Sequence, residues 1–168
     1  MDTIDAILTR RSIRHFSSKA VPEEEIQVLL KAAMYAPSGG NAQPWHFVVI
    51  DERAVLDEVP KFHDSSSFIL EVPLAILICA DEELAKPGRW LLDCSAAAEN
   101  MLLAAHARGL GACWIGIQPV AERIEGITRL MELPPKVYPV CLIAIGYPTE
   151  TRHQPERFRP ERIHHNRW

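Results

Sequence analysis

Residues 37–47 read Pro-Ser-Gly-Gly-Asn-Ala-Gln-Pro-Trp-His-Phe. What flanks this stretch decides how it is read. Upstream, Pro22 followed by Glu23, Glu24 and Glu25 is a helix start, with proline in the first turn and acids at the positive end of the helix dipole. Ile26, Leu29, Leu30, Ala33 and Met34 then recur at helical spacing, and Pro37 stops the helix. Downstream, His46–Ile50 reads as an apolar strand. The stretch is therefore a polar loop between a helix and a strand. Gly39 and Gly40 free its backbone, while Ser38, Asn41 and Gln43 supply hydroxyl and amide groups. Such a loop can bring mixed donors and acceptors up to a flat polar ligand.

Towards the N-terminus, residues 2–9 predict a short helix with Ile4, Ile7 and Leu8 on one face. It runs into Arg10-Arg11-Ser12-Ile13-Arg14, which packs three guanidinium groups and a hydroxyl into five residues. Arginine offers fixed forks of N–H donors to an oxyanion, so this segment suits a phosphate. An anionic tail bound here and a heteroaromatic head bound at 37–47 together point to a nucleotide-like cofactor.

Towards the C-terminus, a short helix is expected at 52–59 and an irregular segment at 60–72, centred on Ser65-Ser66-Ser67. The continuous apolar run 73–80 predicts a strand buried on both faces. Trp90–Arg108 reads as the longest helix, dense in small residues and apolar around most of its circumference, so burial on more than one side is expected. A strand at 112–117, a helix at 121–131 and a strand at 138–145 follow. Residues 147–168 form a polar tail rich in proline and arginine that also carries Phe158, Ile163 and Trp168. The long helix and these tail residues hold more apolar surface than one small domain covers easily, which suggests a tail reaching a partner subunit.

At 168 residues the chain fits one domain, 1–168, with 48% apolar and 24% charged residues. A net charge of -4 argues against a nucleic-acid partner. Cys79, Cys94, Cys113 and Cys141 form no C-x-x-C pair, and three sit in apolar runs. They read as core thiols rather than metal ligands, and no His cluster offers a metal site. The acidic start lacks a secretory h-region, and no apolar run approaches a membrane span. A cytoplasmic protein with no membrane partner is the expectation.

Five segments in order along nearly the whole chain carry a resemblance to the nitroreductase family of flavin mononucleotide (FMN) enzymes. They are Arg10–Arg14; residues 36–47; Asp93–Ala105 with Asn100-Met-Leu-Leu-Ala; Gly109-Leu-Gly-Ala-Cys-Trp-Ile-Gly116; and Arg157 with the closing Ile163-His-His-Asn-Arg-Trp168. The resemblance implies an α+β fold whose central, mainly antiparallel sheet is flanked by helices. It also implies a domain-swapped homodimer with FMN in the subunit interface.

By the same resemblance, Arg10, Arg11, Ser12 and Arg157 are expected at the FMN phosphate. Arg14 would lie near the pyrimidine edge, where reduction places negative charge. Pro37, Ser38, Gly39, Asn41 and Gln43 would bind the ring or ribityl chain, from either subunit. Trp114, Ile115 and Gly116 would run along the N5 side, with a backbone N–H donating to N5. The flavin carries the chemistry, so no catalytic side chain is expected, although Arg14 and Gly116 would tune it. The implied reaction moves hydride from NAD(P)H through N5 to a small-molecule acceptor such as a nitroaromatic or quinone. Dehalogenation, enone reduction, flavin fragmentation and non-catalytic flavin binding remain open alternatives. No G-x-G-x-x-G is present to choose between NADH and NADPH. Phe62, His63 and Phe68 are candidates for the acceptor wall.

Overall fold

The computed structural model describes residues 1–168. Its elements are α1 (Thr3–Thr9), α2 (Glu23–Met34), β1 (Trp45–Ile50), α3 (Arg53–Leu56), β2 (Leu74–Asp81), α4 (Trp90–Ala107), β3 (Gly111–Gly116), α5 (Ala121–Leu130) and β4 (Val137–Gly146). The strands form one sheet in the order β1-β2-β4-β3, with every neighbouring pair antiparallel. The only parallel contact is an isolated bridge between Ser12 and Ala112 on the outer edge of β3.

The two central strands explain the continuous apolar runs in the sequence. Side chains alternate between faces along a strand. Leu74, Ile76, Ile78 and Ala80 of β2, with Cys141, Ile143 and Ile145 of β4, join one core that also contains Ile26, Leu29 and Ala33 of α2 and Cys94, Ala97, Ala98 and Met101 of α4. Ala75, Leu77 and Cys79, with Leu142 and Ala144, join a second core against Leu56, Val59, Ile69 and Ile127. With helices on one face and α3, α5 and the 59–71 segment on the other, neither face of β2 or β4 meets water. Each fully buried Leu or Ile contributes roughly 1.5–3 kcal/mol, so these two layers supply most of the driving force.

The sequence elements appear where their signals lie, with boundary shifts of one or two residues at most strand and helix ends. Two differences are larger. The expected helix at 52–59 is α-helical only over Arg53–Leu56, and Val59–Lys61 is a 3-10 turn with Pro60 in its first turn. The expected irregular segment is ordered as a 3-10 stretch, Asp64–Glu71. Local polar groups hold it: the Ser66 hydroxyl donates to the His63 carbonyl, and the Arg53 guanidinium donates to the carbonyls of Ile69 and Val72.

All four cysteines are free and buried. Burial pushes the thiols of Cys79 and Cys94 up to about 12, which removes them from thiolate chemistry. No helix is long and apolar enough to cross a membrane.

In the single chain α4 turns one side to the sheet and to α2, leaving Leu91 and Leu92 exposed. Ile4, Ile7 and Leu8 of α1 are exposed too, and so is the whole of 151–168, including Phe158, Ile163 and Trp168. The tail does not fold back onto its own core.

Gly126 tests the second core. In the middle of a helix, Gly→Ala ordinarily stabilises by about 1 kcal/mol. Here an added Cβ would sit 2.3 Å from Phe62 Cγ. Overpacking against a ring costs about 1–3 kcal/mol, so the clash outweighs the gain. Gly126→Ala should lower the melting temperature, and Gly126→Ala with Phe62→Leu should recover most of the loss.

Candidate functional site

The free edge of β3 organises the first half of the site. In an antiparallel ladder, alternate residues turn both backbone groups to the same side. The Ile13 N–H donates to the Ala112 carbonyl at 3.0 Å, so Ala112 faces away from β4. Trp114 and Gly116 share that side. The Gly116 carbonyl accepts from His63 Nε2 and from Arg123 Nη1, both at 3.0 Å. The N–H groups of Trp114 and Gly116 therefore point outward from an open edge. A Cβ built on Gly116 meets nothing within 4 Å, so clear space lies over that backbone.

The bridge at Ser12 lays residues 10–14 along the same edge. Arg10 caps the end of α1; its Nε is buried without a hydrogen-bond partner, 3.5 Å from Glu99 Oε1. A buried orphan donor is costly in isolation and marks a place built for an acceptor. Arg11 donates from Nε to the His153 carbonyl and from Nη1 to the carbonyls of Leu8 and Arg10. Three of its five N–H groups are thus engaged with backbone, which makes it more a brace for the segment than a free anion donor. The Arg14 guanidinium lies 5.9 Å from the Phe68 ring centroid, and its backbone N–H donates to Glu150 Oε1 at 2.6 Å.

The Cys113 thiol lies under this cluster. Burial raises it, while Arg14, the Ser12 hydroxyl, Arg10 and Arg152 oppose the rise. Burial would also raise the Glu150 carboxyl; N–H donation from Arg14 and pairing with Arg152 outweigh burial and leave it lowered. Thr9, Arg10, Arg11, His106, Ala112 and Arg152 line part of an adjacent cavity of about 330 Å³.

The loop after α2 forms the second half. The chain turns through a short 3-10 segment at Gly39–Asn41, with Gly40 at φ 62°, Asn41 at 56° and Gln43 at 49°. Two non-glycine residues in the left-handed region make a strained backbone, which persists only where surroundings enforce it and is concentrated at functional loops. Ser38 Oγ accepts from the Gln43 N–H at 3.0 Å, and Gln43 Nε2 donates to Asn41 Oδ1. Asp93 Oδ1 accepts from the Gly39 N–H at 2.9 Å; its Oδ2 is buried without a partner. Pro37 is exposed at the start of the turn.

These two halves are not brought together in one chain. The loop leads into β1 and Arg10–Arg14 lies along the outer side of β3, and these two edge strands of the four-stranded sheet are about 14 Å apart by strand spacing. Along α4, Asp93 anchors the loop while Glu99 and His106 face the arginine segment, about 9 and 20 Å further on. Arg157 lies in the exposed tail, with no hydrogen bond or ion pair to the body of its own chain.

Sequence reasoning missed several participants. Asp93 carries no sequence signal that ties it to the loop, yet it holds the loop through the Gly39 N–H. His63 reads as an acceptor-wall residue but is buried beneath β3, 3% exposed. Phe62, another such candidate, packs on Gly126 of α5. Only Phe68, beside Arg14, remains near the open edge. Arg123, Glu150 and Arg152 carry no local motif that would single them out.

His106 gives a pH dependence. Its Nε2 lies 2.7 Å from Thr9 Oγ1, and burial, then Arg10 and Arg11, lower its pKa from 6.5. A base whose folded pKa is depressed favours folding while it is neutral. Its contribution is complete above the unfolded value of 6.5 and is lost as pH falls below it. Urea unfolding at about pH 7.5 and about pH 5.5 should show lower stability in acid, and His106→Gln should shrink that difference.

Residues 7–147 match the family model described as the nitroreductase family. A protein of Methanothermobacter thermautotrophicus, provisionally named NADH dehydrogenase/NAD(P)H nitroreductase, is 46% identical over 169 residues, spanning 100% of this chain and 88% of its own length. A crystal structure of a Parabacteroides distasonis protein with the same provisional name superposes with a TM-score of 0.95 at 36% identity, covering 99% of this chain and 98% of that one. A Desulfovibrio desulfuricans protein, provisionally named a nitroreductase and crystallised with FMN, superposes with a TM-score of 0.87 at 30% identity, covering 100% of this chain and 98% of that one.

Proposed function

Because the chain belongs to the nitroreductase family, we propose that it is an FMN-dependent oxidoreductase that draws reducing equivalents from NAD(P)H and delivers them to an organic acceptor such as a nitroaromatic or quinone. The observation that carries this reading is the open edge of β3. There, clear space over Gly116 and two outward N–H groups lie along the same edge as an arginine–serine segment containing a buried orphan donor.

The residues present fit FMN. Arg10 and Ser12, with Arg152 beside them, form a cationic and hydroxyl-bearing cradle for the phosphate. Charge-assisted bonds to a dianion would satisfy Arg10 Nε and offset the crowding of like charges. Arg11 holds this segment in shape through the carbonyls it binds. Arg14 remains exposed at the rim, where its fixed charge favours negative charge on a ring lying along β3. When bound, FMN would supply hydride-transfer chemistry at N5. Trp114, Ile115 and Gly116 would present backbone to that side of the ring, and the lack of a side chain at Gly116 would permit close approach.

The separation of the two halves favours a site built from two chains. Ser38, Gly39, Asn41 and Gln43 of one chain would complete the site made by Arg10–Arg14 and β3 of the other. Such a homodimer would cover the exposed apolar residues of α1 and α4 and give the 147–168 tail, with Arg157, a partner to reach.

The visible spectrum of the purified protein, recorded before and after anaerobic addition of NADH or NADPH, tests the reading. Flavin bands that bleach are the expected result; failure to bind added FMN would overturn it. Gly116→Ala sharpens the test. The protein itself leaves room for the new methyl, so stability should change by less than about 1 kcal/mol. The methyl would occupy ligand space, and the FMN Kd should rise about tenfold by fluorescence titration.

A further inference from the structure

The loop over residues 37–43 closes mostly on itself. The Asn41 N–H donates to the Ser38 carbonyl at 3.0 Å, and the Ala42 N–H donates to the Gly39 carbonyl. The Gln43 N–H donates to Ser38 Oγ, and Gln43 Nε2 donates to Asn41 Oδ1. These bonds fix the shape of the loop but not its direction. The stems of Arg89 and Lys86 lie against it: a Cβ on Gly39 would sit 3.4 Å from Arg89 Cγ, and one on Gly40 would sit 3.1 Å from Lys86 Cε. Both side chains are exposed and rich in rotamers, so they give contact without orientation. A single hydrogen bond ties residues 37–43 to another element, the one from the Gly39 N–H to Asp93 Oδ1 at 2.9 Å.

Asp93 is 6% exposed and lies in the first turn of α4, whose next residues Cys94, Ala97 and Ala98 belong to the first core. Its side chain caps none of the free N–H groups of its own helix and reaches the loop instead. Oδ2 is buried with no partner. A buried carboxylate with one oxygen unsatisfied costs stability, so Asp93 is a poor device for holding the core alone. The peptide it grips is the hub of the loop. The Gly39 N–H and the Ser38 carbonyl belong to one planar peptide unit. Asp93 holds its N–H, and the Asn41 N–H holds its carbonyl. The Ser38 hydroxyl in turn receives the Gln43 N–H. A peptide bonded at both ends cannot turn freely, so the direction set at Asp93 passes through Ser38 to Asn41 and Gln43.

We propose that Asp93 is a positioning residue: by accepting the Gly39 N–H it sets the Ser38–Gly39 peptide and so presents Ser38, Asn41 and Gln43 to the flavin. The proposal rests on the reading of residues 37–43 as a flavin-binding loop that completes the site of a second chain. Asp93 itself need not touch the ligand. It converts the fixed position of α4 in the core into a fixed direction for the loop.

The test uses the FMN-loaded protein and its variants Asp93→Ala, which removes the acceptor, and Asp93→Asn, which keeps a side-chain oxygen for the Gly39 N–H. Hydrogen exchange at the glycine amides, read by NMR after labelling with ¹⁵N-glycine, reports the anchor. The rate of FMN release on dilution, read by flavin fluorescence, reports its consequence. Gly40 is an internal control, because its amide is exposed and donates to nothing. In the unaltered protein the Gly39 amide should exchange at least about tenfold more slowly than that of Gly40. Asp93→Ala should speed exchange at Gly39 and FMN release, each by about tenfold, the effect of losing one hydrogen bond. Asp93→Asn should restore both rates to within about threefold. If Asp93→Ala does not fold, Asp93→Leu removes the acceptor while filling the space. Equal exchange at Gly39 and Gly40 in the unaltered protein would overturn the anchor. Unchanged FMN release in a folded, flavin-loaded Asp93→Ala or Asp93→Leu, or no rescue by Asp93→Asn, would overturn the positioning role and leave the flavin site intact. Failure of the unaltered protein to bind FMN would overturn the flavin reading and the positioning role together.

Discussion

The hydrogen bond from the Ile13 N–H to the Ala112 carbonyl governs the rest of the site. It joins a segment next to the N-terminus to a strand a hundred residues later, and it does so on the open edge of β3. By occupying the first outward carbonyl of β3, it places the arginines and Ser12 at one end of that edge. The outward backbone groups of Trp114 and Gly116 remain at the other end. A cationic end and an end bearing neutral donors then lie a few residues apart on a rigid support, which is what a ligand with an anionic tail and a flat head requires.

The same arrangement has costs that the fold meets elsewhere. Three cations act on Cys113, Arg10 Nε lacks a hydrogen-bond partner, and Asn41 and Gln43 sit in the left-handed region. Each would be unfavourable in a region selected only for stability. The compensation comes from β2 and β4, whose side chains are buried on both faces, and from the fixed points that α4 offers to both halves of the site. Asp93 holds the loop through Gly39, and Glu99 and His106 face the arginine segment. One helix therefore sets the spacing of both halves.

The uncovered apolar residues belong to the same logic. Leu91 and Leu92 begin α4 near the loop anchor, and Ile4, Ile7 and Leu8 lead into the arginine segment. Surface that asks for a partner thus borders both halves of the candidate site, so association and ligand binding are coupled by geometry if the site is shared between chains.

The sequence by itself determined the elements and the chemical character of the site. Apolar runs at 73–80 and 138–145 are long, unbroken and β-prone, so their burial on both faces follows from composition. Pro22, Pro37 and the glycines at 109 and 111 punctuate the chain through local backbone preference, which is readable without a partner. Arg10–Arg14 and residues 37–47 show their chemistry for the same reason: their donors lie close together in sequence. The roles of His63, Asp93 and Arg123 were not legible, because each acts on a group outside its own local motif, from Gly116 seven residues before Arg123 to Gly39 fifty-four residues before Asp93. A lone histidine in a serine-rich stretch has no local pattern that reveals the carbonyl it binds. Only the tertiary structure decided that the two motifs lie at opposite edges of one sheet, because strand order is set by how the two cores close around β2 and β4 and not by either motif.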